Sequence, residues 1–97
     1  KKKAIALGIE NSTYDWLLFT DVDCRLNKKW TASMSDYFSC DYIIGYSNII
    51  ETMQMVSKFQ SIDFRMLMIS SCSSTMLGYP LASSGQNQAY RKSLFKY

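Results

Sequence analysis

The chain contains no histidine. That removes the commonest metal ligand and the commonest general base at neutral pH. Cysteine is sparse and scattered: Cys24, Cys40 and Cys72 form an odd set with no C-x-x-C spacing. This argues against a disulfide framework and a cysteine zinc site, and for a reducing, cytoplasmic compartment. No apolar run approaches the roughly 18 residues of a membrane span. No secretory leader, internal repeat or low-complexity tract is present. The Asn11-Ser12-Thr13 sequon is too short a pattern to imply secretion against that background.

What is present is an ordinary globular composition over 97 residues, 47% hydrophobic and 14% aromatic, with a net charge of +3. A domain of that length buries about two-thirds of its unfolded surface. The positive charge gathers in Lys1-Lys2-Lys3 and in Arg91, Lys92 and Lys96, which suits a few phosphates better than a nucleic-acid surface. The chain opens without an initiator Met and stops in a basic, aromatic run at Tyr97. The expectation is one partial domain, 1–97, from the middle of a longer protein.

Hydrophobic periodicity predicts an αβαβαβ order and an α/β layer structure. A helix spans Lys2 to about Asn11, with Ala4, Ile5, Gly8 and Ile9 on one stripe and Gly8 lying close to the sheet. A buried strand follows from Tyr14 or Trp16 to Asp21. A second helix is N-capped by Asn27 and turns Trp30, Met34 and Phe38 to the core. A second strand covers Asp41 to Tyr46. A long helix runs from about Glu51 to Leu77 and stops at Gly78-Tyr79-Pro80. Its Met53, Val56, Phe59 or Gln60, Asp63 and Met66-Leu67 series has a moderate helical period, and the Met66–Leu81 stretch reads as a buried or interfacial helix. A last strand or strand-like loop runs from Ser83 to Tyr90.

The chemistry concentrates where the first strand ends. Asp21 and Asp23 are spaced i, i+2, and in an extended chain that spacing puts both carboxylates on one face. Ligands of open α/β sheets gather beyond the carboxyl ends of strands. Paired oxygen donors there suit a hard divalent cation. The plainer alternative is that one Asp caps the next helix and the other is solvated.

Two blocks carry a resemblance. The first is Lys1-Lys2-x-Ala4-Ile5-x-x-Gly8-Ile9-Glu10 followed by Asp15-Trp16-Leu17-Leu18-Phe19-Thr20-Asp21-Val22-Asp23-Cys24. The second is Gly78-Tyr79-Pro80 leading to Gly85-Gln86-Asn87-Gln88-Ala89-Tyr90-Arg91-Lys92 and Phe95. In this order, and covering nearly the whole chain, they resemble the central part of family-2 glycosyltransferases with the GT-A fold. The resemblance implies a partial Rossmann-like layer structure, truncated at both ends. It implies an inverting, metal-dependent transferase of hexoses that uses a UDP- or GDP-sugar and a glycan or lipid acceptor of the cell envelope. Asp23 would hold Mg²⁺ or Mn²⁺ against the donor diphosphate, and Asp21 would reach the ribose or the metal's water shell. Lys1 and Lys2 would add positive charge there, or form a solvated terminus. Gly85 would allow a close backbone approach, and Asn87 would either bond a ligand or stabilise a turn. Tyr90 and Phe95 are core residues. The base-reading acidic residue is expected before Lys1 and the catalytic base beyond Tyr97. Asp63, inside the long helix, reads as a satisfied polar residue facing other helices. The resemblance also leaves room for placement at the inner membrane face through parts outside this chain.

The sequence departs from that pattern at Gln86, where the family has Arg, at Ser83, where it has a Gly-like residue, and at Leu26, where Pro often follows the acidic pair. Two other readings stand beside it. One is a phosphotransferase of the haloacid-dehalogenase type with Asp21 as nucleophile, although Cys24-Arg25 replaces the Gly-Thr expected there. The other is a non-catalytic fragment that self-associates, as a homodimer, through exposed sheet edges and a Met-rich helix.

Overall fold

The computed structural model describes residues 2–95. Among them the order is α1 (Lys2–Glu10), β1 (Trp16–Thr20), α2 (Trp30–Ser35), β2 (Tyr42–Ile44), α3 (Met55–Met76) and β3 (Asn87–Arg91), with a short 3-10 turn at Lys92–Leu94. The chain divides into two compact units. One is built from residues up to Gly45 and from Gly85 onward, the other from Tyr46–Ser84.

The first unit is a three-stranded sheet in the order β1-β3-β2, and both pairings are antiparallel. The expected alternation of helix and strand is there. The strand directions, however, are not those of a βαβ unit, in which a crossover helix imposes parallel neighbours. The helix between β2 and β3 belongs to the other unit. The last strand therefore enters the middle of the sheet running against both neighbours. β1 is an edge strand, half-buried from Trp16 to Phe19 and exposed at Thr20, not the buried strand that its apolar run predicts.

Register explains the core. Leu18 and Ile43 both pair with Ala89, which has 0% exposure, so a small side chain sits between two large ones at the centre of one face. Trp16 and Arg91 are paired on that face, as are Thr20 and Asn87. Phe38 stacks on Trp16 at 4.1 Å, and the Arg91 guanidinium lies 5.2 Å from the Trp16 ring centre. On the opposite face Phe19 stacks diagonally on Tyr90 at 4.8 Å, and Tyr42 is tilted against Tyr90 at 6.0 Å. Such cross-strand pairs are the stabilising units of a sheet.

Several local expectations are corrected. Asn27 does not cap α2. Its Oδ1 accepts the Lys29 N–H at 2.9 Å and its carbonyl accepts the Trp30 N–H at 3.0 Å, closing a turn that delivers the chain to the helix. Met34 is buried, whereas Trp30 and Phe38 are half-buried and Phe38 lies beyond the helix end. Gly8 is exposed with open space where a Cβ would stand, so it makes no close approach; Ile9 alone in α1 is buried. Tyr90 and Phe95 are half-buried.

In the second unit, α3 ends in a Schellman motif. Tyr79 N–H reaches Ser74 C=O at 2.8 Å and Gly78 N–H reaches Thr75 C=O at 3.0 Å, with Gly78 at φ 87°. The helix turns a serine-rich stripe inward. Ser61, Met68 and Ser71 are buried, and Ser57, Phe64 and Ser74 are half-buried. Ser61 Oγ donates to Glu51 Oε1 at 2.7 Å and Ser71 Oγ to the Ala82 carbonyl at 2.6 Å, so the flanking segments clasp that stripe. The Met53, Val56, Phe59, Asp63 and Met66-Leu67 series lies on the exposed side, and Asp63 faces solvent. Short hydroxyl side chains pack close to a clasping backbone and satisfy it by hydrogen bonds. No helix among the described residues is long and apolar enough to cross a membrane.

Candidate functional site

β1 stops at Thr20, and the next four residues form a reverse turn in which Cys24 N–H donates to Asp21 C=O at 3.1 Å. Asp is favoured at the first position of such a turn. Asp21, Val22 and Asp23 are all exposed. The extended geometry that would place both carboxylates on one face by strand alternation ends before Val22. The two acids are the first and third residues of one tight turn.

Antiparallel pairing then does what strand order alone does not. β3 begins at Asn87, directly opposite Thr20, the last residue of β1. The Gly85-Gln86 turn before β3 therefore meets the Asp21–Cys24 turn after β1. A Cys24 Sγ–H to Gln86 Oε1 contact at 3.5 Å links them. Two blocks some sixty residues apart share one end of the sheet. Gln86 supplies a neutral acceptor to that contact.

Asn87 is held from two sides. Its Oδ1 accepts the Trp30 Nε1–H at 2.9 Å, and its backbone carbonyl accepts the Gly45 N–H at 2.8 Å. These bonds fasten α2 and the end of β2 to the start of β3. Gly85 is exposed, with open space where a Cβ would stand, so no protein group requires its small size. Lys2 is exposed as the first residue of α1, and Lys1 lies outside the described residues.

Sequence reasoning missed two supports. Trp30 was legible as a core residue, and its indole N–H needs an acceptor when partly buried, a signal for a polar partner. At Gly45 an added Cβ would overlap the Asn87 carboxamide. Only the fold shows that approach.

Among the described residues no three His, Cys, Asp or Glu side chains cluster in a way that could hold a metal. A cage made wholly of protein ligands is therefore not formed by them. Two exposed carboxylates on one turn do fit the habit of Mg²⁺, which keeps several waters and is bound through one or two carboxylates plus substrate phosphates. An open, largely apolar groove of about 550 Å³ lies between β1 and α2, lined by Tyr14, Asp15, Trp16, Leu18, Thr31 and Phe38 among others. None of the candidate site residues lines it. Set against known proteins, the chain matches no family model, no curated protein and no solved structure.

Proposed function

We propose that this chain is the central portion of a metal-dependent, inverting glycosyltransferase, its antiparallel sheet forming part of a larger GT-A domain and not by itself a Rossmann-like layer. Its Asp21–Cys24 turn would receive the diphosphate of a UDP- or GDP-sugar. The acceptor would be a glycan or lipid of the cell envelope, and the three free thiols suit a cytoplasmic setting. The observation that carries the reading is the meeting of the Asp21–Cys24 turn with the Gly85–Asn87 turn across the β1·β3 pair. It brings together, from distant parts of the chain, both blocks in which the resemblance resides.

In this reading Asp23 and Asp21 offer oxygen donors to one Mg²⁺ or Mn²⁺. Bound there, the cation would stabilise the charge that builds on the diphosphate as the sugar leaves. Exposure of both acids leaves room for phosphate oxygens and water in the remaining coordination positions. Thr20 and Asn87, paired at the sheet end, set the distance between the acidic turn and the Gly85 turn. Gly85 leaves that side open to a ligand backbone or sugar. Lys2 sits on a separate helix start and adds only general positive charge.

The test is calorimetric titration of the chain with UDP in the presence of Mn²⁺, repeated with GDP, alongside Asp23→Ala and Asp21→Ala. Metal-dependent heat that disappears in Asp23→Ala is expected. Equal behaviour of the unaltered chain and Asp23→Ala removes the acidic turn from donor binding.

A further inference from the structure

The exposed side of α3 has a second regularity. Met55, Phe59, Ile62, Met66, Ile69 and Met76 recur at alternating intervals of four and three residues, with Ser73 completing the series. All six apolar members are between 55% and 88% exposed. This is the a/d seam of a heptad repeat, with Met55, Ile62, Ile69 and Met76 at d and Phe59, Met66 and Ser73 at a. The buried residues Ser61, Met68 and Ser71, with half-buried Ser57 and Phe64, fall at c and f, on the reverse side of the same helix. The serine stripe is therefore spent on the clasp of its own unit, and the apolar stripe is left facing outward for about 33 Å at 1.5 Å per residue. A contiguous apolar strip of that length on a water-facing helix marks an interaction surface.

The flanking charges say what it meets. Lys58 and Arg65 occupy g, and Asp63 occupies e. In a parallel pair, g of one helix faces e of the next heptad on the other, so Lys58 lies against the partner's Asp63, and the symmetric contact repeats it. Among the described residues, neither Lys58 nor Asp63 is engaged in an ion pair within its own chain. Arg65 is already paired with Glu51 of its own chain at 3.3 Å, so it does not decide the direction. In a fully overlapped antiparallel pairing g faces g, which sets Lys58 against Cys72 and loses the Lys58–Asp63 contact, so the charges favour the parallel direction. We infer that α3 docks in parallel on α3 of a second copy of this chain, along the Met55–Met76 seam. This surface is independent of the donor reading, because it lies wholly within the Tyr46–Ser84 unit and uses no residue of the acidic turn.

Sedimentation velocity of the full chain over a concentration series reads the association directly. The chain is expected to associate into particles of at least two copies. Ile62→Glu is expected to yield monomers whose circular dichroism is unchanged, because the side chain is exposed. Lys58→Glu is expected to weaken association roughly tenfold, and the pair Lys58→Glu with Asp63→Lys to restore it. With the three native cysteines replaced by serine, Ser73→Cys is expected to cross-link on mild oxidation, since a positions face each other only in the parallel register. A chain that stays monomeric at all concentrations overturns the inference. So does association untouched by Ile62→Glu, a charge swap that fails to restore it, or a monomer that floats with phosphatidylserine vesicles through the same seam, which would make the seam a membrane surface.

Discussion

Trp30 and Asn87, 57 positions apart, are joined by a 2.9 Å hydrogen bond from the indole N–H to the carboxamide oxygen. The bond ties α2 to the first residue of β3, and so to the end of the sheet where the acidic turn sits. Trp30→Phe keeps the ring and removes the donor, and should cost about 1 kcal/mol of stability. A double-mutant cycle with Asn87→Ala, read by urea denaturation, should return a coupling of about 1 kcal/mol. Strictly additive effects would show that the bond contributes nothing.

Gly45 is the neighbour that makes this arrangement possible. Gly45→Ala places a methyl on the Asn87 carboxamide, an overpacking that should cost about 1–3 kcal/mol. The loss should shrink when Asn87→Ala is made in the same chain, because the obstructing group is gone. Thermal unfolding of the three variants measures it.

Tyr90 should titrate above the ordinary tyrosine value of 10.0, first because burial disfavours its phenolate and second because Tyr42 stands nearby. The unfolded chain then releases this proton before the folded one does. The contribution of Tyr90 to stability is therefore fully present below pH 10 and is lost as pH rises through the folded value. Tyr42→Phe should move the Tyr90 titration down toward 10.0, as followed by phenolate absorbance. An unchanged titration would leave burial as the sole cause.

Gly78 closes α3 with a left-handed backbone. Gly78→Ala should destabilise the chain by about 1 kcal/mol, since an added Cβ is strained there. Helical content at room temperature should change little, because the cap follows the last turn. Chemical denaturation monitored by circular dichroism separates the two effects.

Arg91 spans three neighbours. Its guanidinium covers the Trp16 ring and its Nη2–H donates to the Phe38 carbonyl at 3.0 Å. Its Nε lies 2.9 Å from Asp41 Oδ1, a charge contact in which the N–H is not aligned on the oxygen. Asp41 is largely exposed, so Asp41→Ala should change stability by less than about 1 kcal/mol. Arg91→Lys should cost more, about 1–2 kcal/mol, because an ammonium reproduces neither the planar contact nor the fork. Equal losses from the two variants would assign the energy to the ion pair instead.

Near-neighbour chemistry was readable ahead of the fold. The order of elements, the end of α3 at Gly78 and the first strand from Trp16 follow from periodicity and turn residues, which act over a few positions. The acidic pair falls where β1 ends, as its spacing implies, but a turn rather than an extended strand carries Asp21 and Asp23, so strand alternation does not set where their carboxylates lie. Asn27 looked like a helix cap because Asx residues serve turns and caps with the same side-chain chemistry.

Long-range pairing settled the rest. Whether β3 runs with or against its neighbours depends on which residues meet across the whole sheet, where fully buried Ala89 lies between Leu18 and Ile43. The same holds for α3. Its composition suits burial on more than one side, and hydrogen bonds from Ser61 to Glu51 and from Ser71 to Ala82 select the serine stripe for the inside. Periodicity announces that a helix has faces. Which face turns inward depends on partners ten or more residues away, whose donors and acceptors must be satisfied once water is excluded.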